Sequence, residues 1–180
     1  MSDQELLGRM LDGDEDAFTA LYRRRQAAVF RFALQMGGSS MVAEDVTQEV
    51  FLNLLEHGRR FDPERGTLAS FLYGIARNLL RRRMEKDRPA EPEAAMEEFA
   101  GDEDLLEDLT RRETIEQVRR AILSLPATYR EAVVLCDLQN LSYHEAAEAL
   151  ECPVGTVRSR LNRARTILAR KLSDVARSVG

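Results

Sequence analysis

From Ser142 onward the residue order leaves the chain little choice but a helix, a tight turn and a second helix. Ser142-Tyr-His-Glu145 is a capping box, in which the Ser hydroxyl and the Glu carboxylate reciprocally satisfy free amides at a helix start. That helix lasts to Leu150, and Glu151-Cys152 make the connection. Pro153, whose fixed φ suits a first helical turn, restarts the chain as a helix that continues past Leu172. At about 100° per residue, Val157, Leu161, Ala164, Leu168 and Leu172 fall on one apolar stripe that must pack on the preceding helices. The opposite face is thereby fixed. It carries Arg158, Ser159, Asn162, Arg163 and Thr166, with Arg160 and Arg165 flanking the stripe, and no acid occurs between Glu151 and Asp174.

A helix that enters the major groove of duplex DNA by its first turns needs short polar groups there, so that backbone and groove approach closely. Gly155, Thr156 and Ser159 meet that need. It also needs long cations and amides, because Arg bidentate to guanine or Asn to adenine supplies roughly 1–3 kcal/mol of discrimination. Arg158, Ser159, Asn162 and Arg163 are the residues expected on base edges, with Arg160 and Arg165 as salt-dependent backbone contacts. The plain alternative is a solvated basic face, which is common on helices. The capping box, the turn and the second helix together favour DNA.

The rest of the chain reads as helix as well. Sparse Gly and Pro, no Trp, and an abundance of Leu, Ala, Arg and Glu predict an all-α protein. Asp14 caps a helix to about Met36 that Gly37-Gly38 ends, and a second runs from Ser40 to about Glu56 with Gly58 as its stop. After a loop from Arg59 to Gly66, Thr67 caps a third helix carrying Leu68, Phe71, Leu72, Ile75 and Leu79 inward, stopped by Pro89. A short leading helix precedes them. Pro89 to Asp104 combines prolines, a glycine and acids with little apolar periodicity, which is linker composition. A helix from about Leu105 or Thr114 to Leu125 follows, and Pro126 opens another towards Gln139. The expected organisation is two small helical domains, 1–88 and 114–180, joined by a flexible acidic linker, 89–113.

This division explains an overall charge of −5, which looks wrong for a nucleic-acid binder. Lys and Arg number 14 against 14 acids in residues 1–88, 2 against 10 in 89–114, and 10 against 7 in 115–180. Salt screens exposed charges beyond about 8 Å, so the local balance governs and the acidic middle hides a basic end.

Other functional classes find little support. Met1 to Phe18 carries acids and no apolar run, so it lacks the pattern of a signal peptide, and no later stretch is apolar enough to span a bilayer. A cytoplasmic protein is expected, and two distant cysteines, Cys136 and Cys152, agree with a reducing compartment. Cys136, His144 and Cys152 lack the paired spacing of a zinc site, so no metal is assigned. No phosphate-binding glycine loop, paired carboxylates or nucleophile motif is present, so neither cofactor nor catalysis is expected.

Longer motifs carry a resemblance. Leu125-Pro-Ala-Thr-Tyr-Arg130, Leu141-Ser-Tyr-His-Glu-Ala-Ala147 and Cys152-Pro-Val-Gly-Thr-Val-Arg-Ser-Arg-Leu161 resemble region 4 of extracytoplasmic-function sigma factors. Ala43-Glu-Asp-Val-Thr-Gln-Glu-Val-Phe51 and Ser70-Phe-Leu-Tyr-Gly-Ile-Ala-Arg-Asn78 resemble region 2 of that family. The resemblance implies a factor that binds core RNA polymerase, reads a minus-35 duplex through region 4 and captures a melted minus-10 element through region 2. It further implies an anti-sigma partner, no small-molecule substrate and no enzyme activity of its own. Asp45, Gln48, Glu49 and Leu52 share one helix face at i, i+3, i+4, i+7 spacing and by resemblance would meet the polymerase clamp. A merely solvated helix side fits that spacing too.

Tyr73, Arg77, Asn78 and Arg81 lie away from the third helix's core stripe, beside the loop holding Phe61, Arg65 and Thr67. Cations, an amide and an aromatic can together hold a single strand, and relatives use this loop to hold a flipped base, which places the minus-10 contacts here. Phe71 stands where many relatives carry Trp, and core packing is its simpler role. By composition the acidic linker fits a plain tether and a nucleic-acid mimic in the polymerase cleft equally well. A stand-alone DNA-binding regulator and a sigma mimic that sequesters an anti-sigma factor are the competing readings, opposed by the region 2 motif and the intact arginine face respectively.

Overall fold

A computed structural model describes the backbone of residues 1–86 and 105–178, and the side chains of 1–86 and 111–174. The anticipated linker segment 89–104 lies outside the described residues. All regular elements among the described residues are helical: α1 (Asp3–Leu11), α2 (Glu15–Gly37), α3 (Ser40–His57), α4 (Leu68–Lys86), α5 (Leu105–Leu123), α6 (Ala127–Val133), α7 (Tyr143–Leu150) and α8 (Val154–Ser178). Residues 105–113, grouped with the linker on composition, belong to α5. The run from Leu105 contains neither Pro nor Gly, so nothing local stops a helix there.

The N-terminal bundle is set by its caps. The Asp14 side chain accepts from the Ala17 amide at 3.0 Å, that of Ser39 from Val42, and the Thr67 hydroxyl from the Ser70 amide at 3.2 Å. Gly38 adopts φ 74° and closes α2 in the left-handed conformation. Gly58 stands at the expected end of α3 as its C-cap, but in the right-handed conformation, φ −57°, and leads into a 3-10 turn through Arg60. A Cβ there would sit 3.2 Å from Leu11 Cδ2, so the position is small because α1 crosses it closely. Asp3 bonds Arg24 and Arg25, tying α1 to α2. Leu21, Phe32, Val46, Val50, Leu54 and Leu72 form the fully buried centre.

In the C-terminal half, Pro126 and Pro153 stand just before α6 and α8. The helix begun by α6 widens into a π turn over Val134–Leu138 before the chain reaches α7, a distortion that local propensity does not announce. The capping box of α7 is complete, with Ser142 Oγ accepting from the Glu145 amide at 3.2 Å and Glu145 Oε2 accepting from the Ser142 amide at 2.8 Å. The Ser142 amide, first among several groups, holds the Glu145 carboxyl below the ordinary carboxylate range. A carboxylate depressed on folding adds stability above its unfolded pKa and loses it as pH falls through the folded value. Ser142→Ala is expected to cost about 0.5–2 kcal/mol at neutral pH. In thermal melts most of that difference from wild type should persist at low pH, because Ala keeps the backbone amide that chiefly lowers the Glu145 pKa and loses only the hydroxyl that accepts from the Glu145 amide.

The two halves do not stand apart. Tyr73 and Leu80 of α4 share one continuous buried cluster with Ile122, Val134, Ala149 and Leu150. Gly74 of α4 lets α7 approach until a Cβ there would lie 3.4 Å from the Ala149 carbonyl oxygen. Arg130 donates from Nη1 to the Met36 carbonyl at 2.6 Å and from Nη2 to those of Leu123 (2.5 Å) and Leu125 (3.0 Å), joining the C-terminal ends of α2 and α5.

Candidate nucleic-acid interface

The polar side of α8 is presented by burying the other. Val157, Leu161 and Ala164 are at most 1 % exposed, while Leu168 and Leu172 are half-buried towards the helix end. Arg158, Ser159, Asn162, Arg163, Arg165 and Thr166 are exposed, and Thr156 and Arg160 partly so. Ser159 and Thr166 donate to carbonyls within α8, to Thr156 O at 3.2 Å and Asn162 O at 2.9 Å. The structure thus brings every α8 residue expected at DNA onto one accessible surface.

Three of the arginines are not free-swinging. The Arg158 guanidinium lies 5.8 Å from the Tyr143 ring centroid, a cation–π distance. Arg163 Nη1 donates to the Tyr129 hydroxyl at 3.3 Å, which raises the Arg163 pKa. Arg165 makes a two-point contact with Asp137, Nε to Oδ2 at 3.0 Å and Nη2 to Oδ1 at 2.6 Å, which raises its pKa. Tyr129, Asp137 and Tyr143 come from α6, the π turn and α7, so no spacing in the sequence pairs them with α8.

Around α4 the placement departs from the sequence reading. Tyr73 and Arg77, expected on an open side, are 4 % and 8 % exposed. The buried side of α4 is turned from the expected one: Leu72, Tyr73, Ala76 and Leu80 are buried, with the Tyr73 ring 5.2 Å from that of Phe32 in α2, while Phe71, Ile75 and Leu79 are only partly buried. Tyr73 Oη donates to Gln139 Oε1 at 3.1 Å, and Gln139 in turn donates to Gln35 Oε1 at 2.8 Å. Burial raises the Tyr73 pKa. Arg77 Nε donates to Glu131 Oε1 at 3.0 Å in an almost fully buried ion pair. Thr67 Oγ1 donates to Glu145 Oε1 at 3.2 Å, and Arg65 Nε lies 3.7 Å from Glu148 Oε2. Phe61 packs on Phe71 with centroids 5.6 Å apart, and Asn78 and Arg81 stay exposed. A cleft of about 210 Å³ between loop 60–67, α4 and α7 is lined by Phe61, Arg65, Thr67 and Asn78 on one side and Glu148 and Glu151 on the other.

On α3, Asp45 and Gln48 are exposed, Glu49 partly so, and Leu52 is 57 % exposed, with Leu55 and Met41 nearby. Arg83 of α4 bonds Glu49 and sits 3.5 Å from Asp45 Oδ2, a partner that α3's own spacing does not reveal. Among the described residues no group of three or more His, Cys, Asp or Glu is placed to hold a metal ion, and no helix is long and apolar enough to cross a membrane. Burial, ahead of Asp137, pushes the Cys136 thiol up to about 11, the behaviour of an inert packed cysteine.

Comparison with known proteins follows the same division. Residues 21–89 match the family described as Sigma-70 region 2, and residues 115–168 match Sigma-70, region 4. The chain is 35 % identical over 193 residues to the ECF RNA polymerase sigma-E factor of Escherichia coli, covering 98 % of this chain and 97 % of the relative. It is 32 % identical over 174 residues to the ECF RNA polymerase sigma factor SigW of Bacillus subtilis, covering 91 % and 92 %. Among solved structures it resembles CnrH in complex with the cytosolic domain of CnrY, with a TM-score of 0.74 at 25 % identity, over 96 % of this chain and 97 % of that one.

Proposed function

Because the chain belongs to the ECF RNA polymerase sigma factors and so serves promoter-specific transcription initiation, we propose how its surfaces divide that work. The exposed side of α8 reads the minus-35 duplex, with Arg158, Ser159, Asn162 and Arg163 at bases and Thr156, Arg160 and Arg165 positioning the backbone. Loop 60–67 and α4 take the melted minus-10 strand through Phe61, Arg65, Thr67, Asn78 and Arg81, with Tyr73 and Arg77, the other residues expected there, buried behind that surface. Asp45, Gln48, Glu49 and Leu52 dock core polymerase. The two working domains are 1–88 and 114–180, with 105–113 extending the second as the first turns of α5. The polymerase supplies the chemistry, so the chain acts without catalysing, in the cytoplasm where the enzyme works. An anti-sigma factor restrains it, a reading supported by the solved complex of Bartonella quintana RpoE with the anti-sigma factor NepR.

One observation carries the reading: α8 exposes an acid-free row of arginines and an amide whose backbone is fixed by Val157, Leu161 and Ala164 behind it. Transcription with core polymerase on a library of promoter sequences tests it. A defined minus-35 and minus-10 preference is expected only when the chain is present. Sequence-specific duplex binding with no stimulation of polymerase would instead identify a stand-alone regulator. Arg163→Ala should weaken minus-35 recognition by about 1–3 kcal/mol and relax the preference at one position, read from the same library. An unchanged preference removes Arg163 from the reading set.

A further inference from the structure

We propose that Asp137 is a specificity-determining residue for the minus-35 element, a positioning group that matches the charge of Arg165 and leaves it free to donate to a phosphate from one edge alone. The proposal rests on the assignment of duplex reading to α8. Three α8 arginines are held by side chains of other elements, and the partners differ in kind. Tyr143 and Tyr129 bring a ring and a hydroxyl to Arg158 and Arg163, which keep their attraction for DNA. Asp137 is the one carboxylate within ion-pair distance of an α8 cation among the described residues.

The geometry is directional. Arg165 donates from Nε to Oδ2 at 3.0 Å and from Nη2 to Oδ1 at 2.6 Å, a side-on pairing of two planar forks. The guanidinium holds its N–H donors in one rigid plane, so this contact leaves the edge with Nη1 turned away from the acid. The Arg165 side chain is still 49 % exposed, and that of Asp137 31 %. A phosphate therefore meets Arg165 by its outer edge, with the carboxylate behind it. The place of Asp137 is itself built. It sits in the π turn Val134–Leu138, closed by the Gln139 amide donating to the Val134 carbonyl at 2.9 Å. The extra residue of such a turn rotates the side chains that follow by about 100° round the helix, and π turns gather at functional positions.

Binding to DNA of any sequence draws its strength from phosphates neutralised by cations, each adding about 0.9 to the slope of log affinity against log salt. A cation whose charge is already matched adds little to that pull, yet keeps its hydrogen bonds for a phosphate in the right place. Asp137 therefore weakens binding to wrong duplexes more than to the right one, and selectivity is the ratio between the two.

The test is transcription by holoenzyme, reconstituted from core polymerase and the full chain and kept limiting, on promoters with a fixed minus-10 and a randomised minus-35 element. Asp137→Asn keeps the side-chain shape and removes the charge. It should raise output from non-preferred minus-35 sequences about fivefold and change output from preferred ones by less than about twofold, with a melting curve close to wild type. In an Arg165→Ala chain the same substitution should change nothing, and Asp137→Glu should restore the wild-type preference. An unchanged preference, or an equal fall in output from all promoters with a lowered melting temperature, makes the pair a mere brace and overturns the proposal. An Asp137→Asn effect that survives in the Arg165→Ala chain overturns it too. Asn162→Ala and Arg163→Ala in the same library separate this failure from that of the reading beneath it. If they shift the preference and Asp137→Asn does not, α8 still reads the duplex and only Asp137 loses its role; if none of the three shifts it, both fall.

Discussion

Replacing Asp45, Gln48 and Glu49 together by Ala is expected to abolish comigration of the chain with bacterial core RNA polymerase in size-exclusion chromatography. The expected loss of affinity is about a hundredfold or more, the size that follows when one desolvated charge-assisted contact of about 3 kcal/mol disappears. The fold should not change. Asp45 and Gln48 are exposed, Glu49 is partly so, and Ala is the best helix former. The ion pairs to Arg83 that the variant removes are partly exposed, and such pairs contribute at most about 1 kcal/mol. Circular dichroism and a melting curve close to wild type, with binding lost, would tie α3 to the polymerase. Retained comigration would leave α3 a solvated helix side and move the docking surface elsewhere.

The second large effect separates two neighbours on α8. Leu161→Ala removes a side chain that is 1 % exposed and packed against the preceding helices, and should cost about 2–5 kcal/mol through lost burial and a residual cavity. Asn162→Ala, one residue on, removes an exposed amide and should leave denaturant unfolding within about 0.5 kcal/mol of wild type. In promoter binding the order inverts in kind. Asn162→Ala should lose about 1–3 kcal/mol of discrimination at one base pair, whereas Leu161→Ala should lower the active fraction and keep the preference of what remains folded. If Leu161→Ala shifted base preference, or Asn162→Ala melted the domain, the two faces of α8 would have been assigned the wrong way round.

That inversion was open to reading because a helix repeats its faces every few residues. The stripe of Val157, Leu161 and Ala164 and the row from Arg158 to Thr166 are properties of one element, as are the caps at Asp14, Thr67 and Ser142. What escaped the sequence is what depends on two elements at once. The apolar spacing of α4 points Phe71, Ile75 and Leu79 inward and Tyr73 and Arg77 outward, yet Tyr73 is buried against Phe32 of α2 and bonds Gln139, Arg77 pairs with Glu131 of α6, and the three expected core residues are only partly buried. Tyr129, Asp137 and Tyr143 beside the α8 arginines, and Arg83 beside Asp45, are partners across helix gaps for the same reason. Gly58 ends α3 as its place in the sequence suggests, but why a glycine is needed there shows only in the position of Leu11, since the residue is right-handed and another helix crosses it closely.

Arg130 sets a condition on building hybrids. Promoter choice invites exchange of C-terminal halves between relatives, as though each were a cartridge. In this chain one guanidinium reaches the Met36 carbonyl of the N-terminal half and the Leu123 and Leu125 carbonyls of its own, a span that uses two nitrogens of a rigid fork. A donor half bringing Lys at this point offers a single ammonium and cannot hold both helix ends in the same way. Grafts should therefore be chosen by the residue at this joint before they are chosen by the sequence of the reading helix.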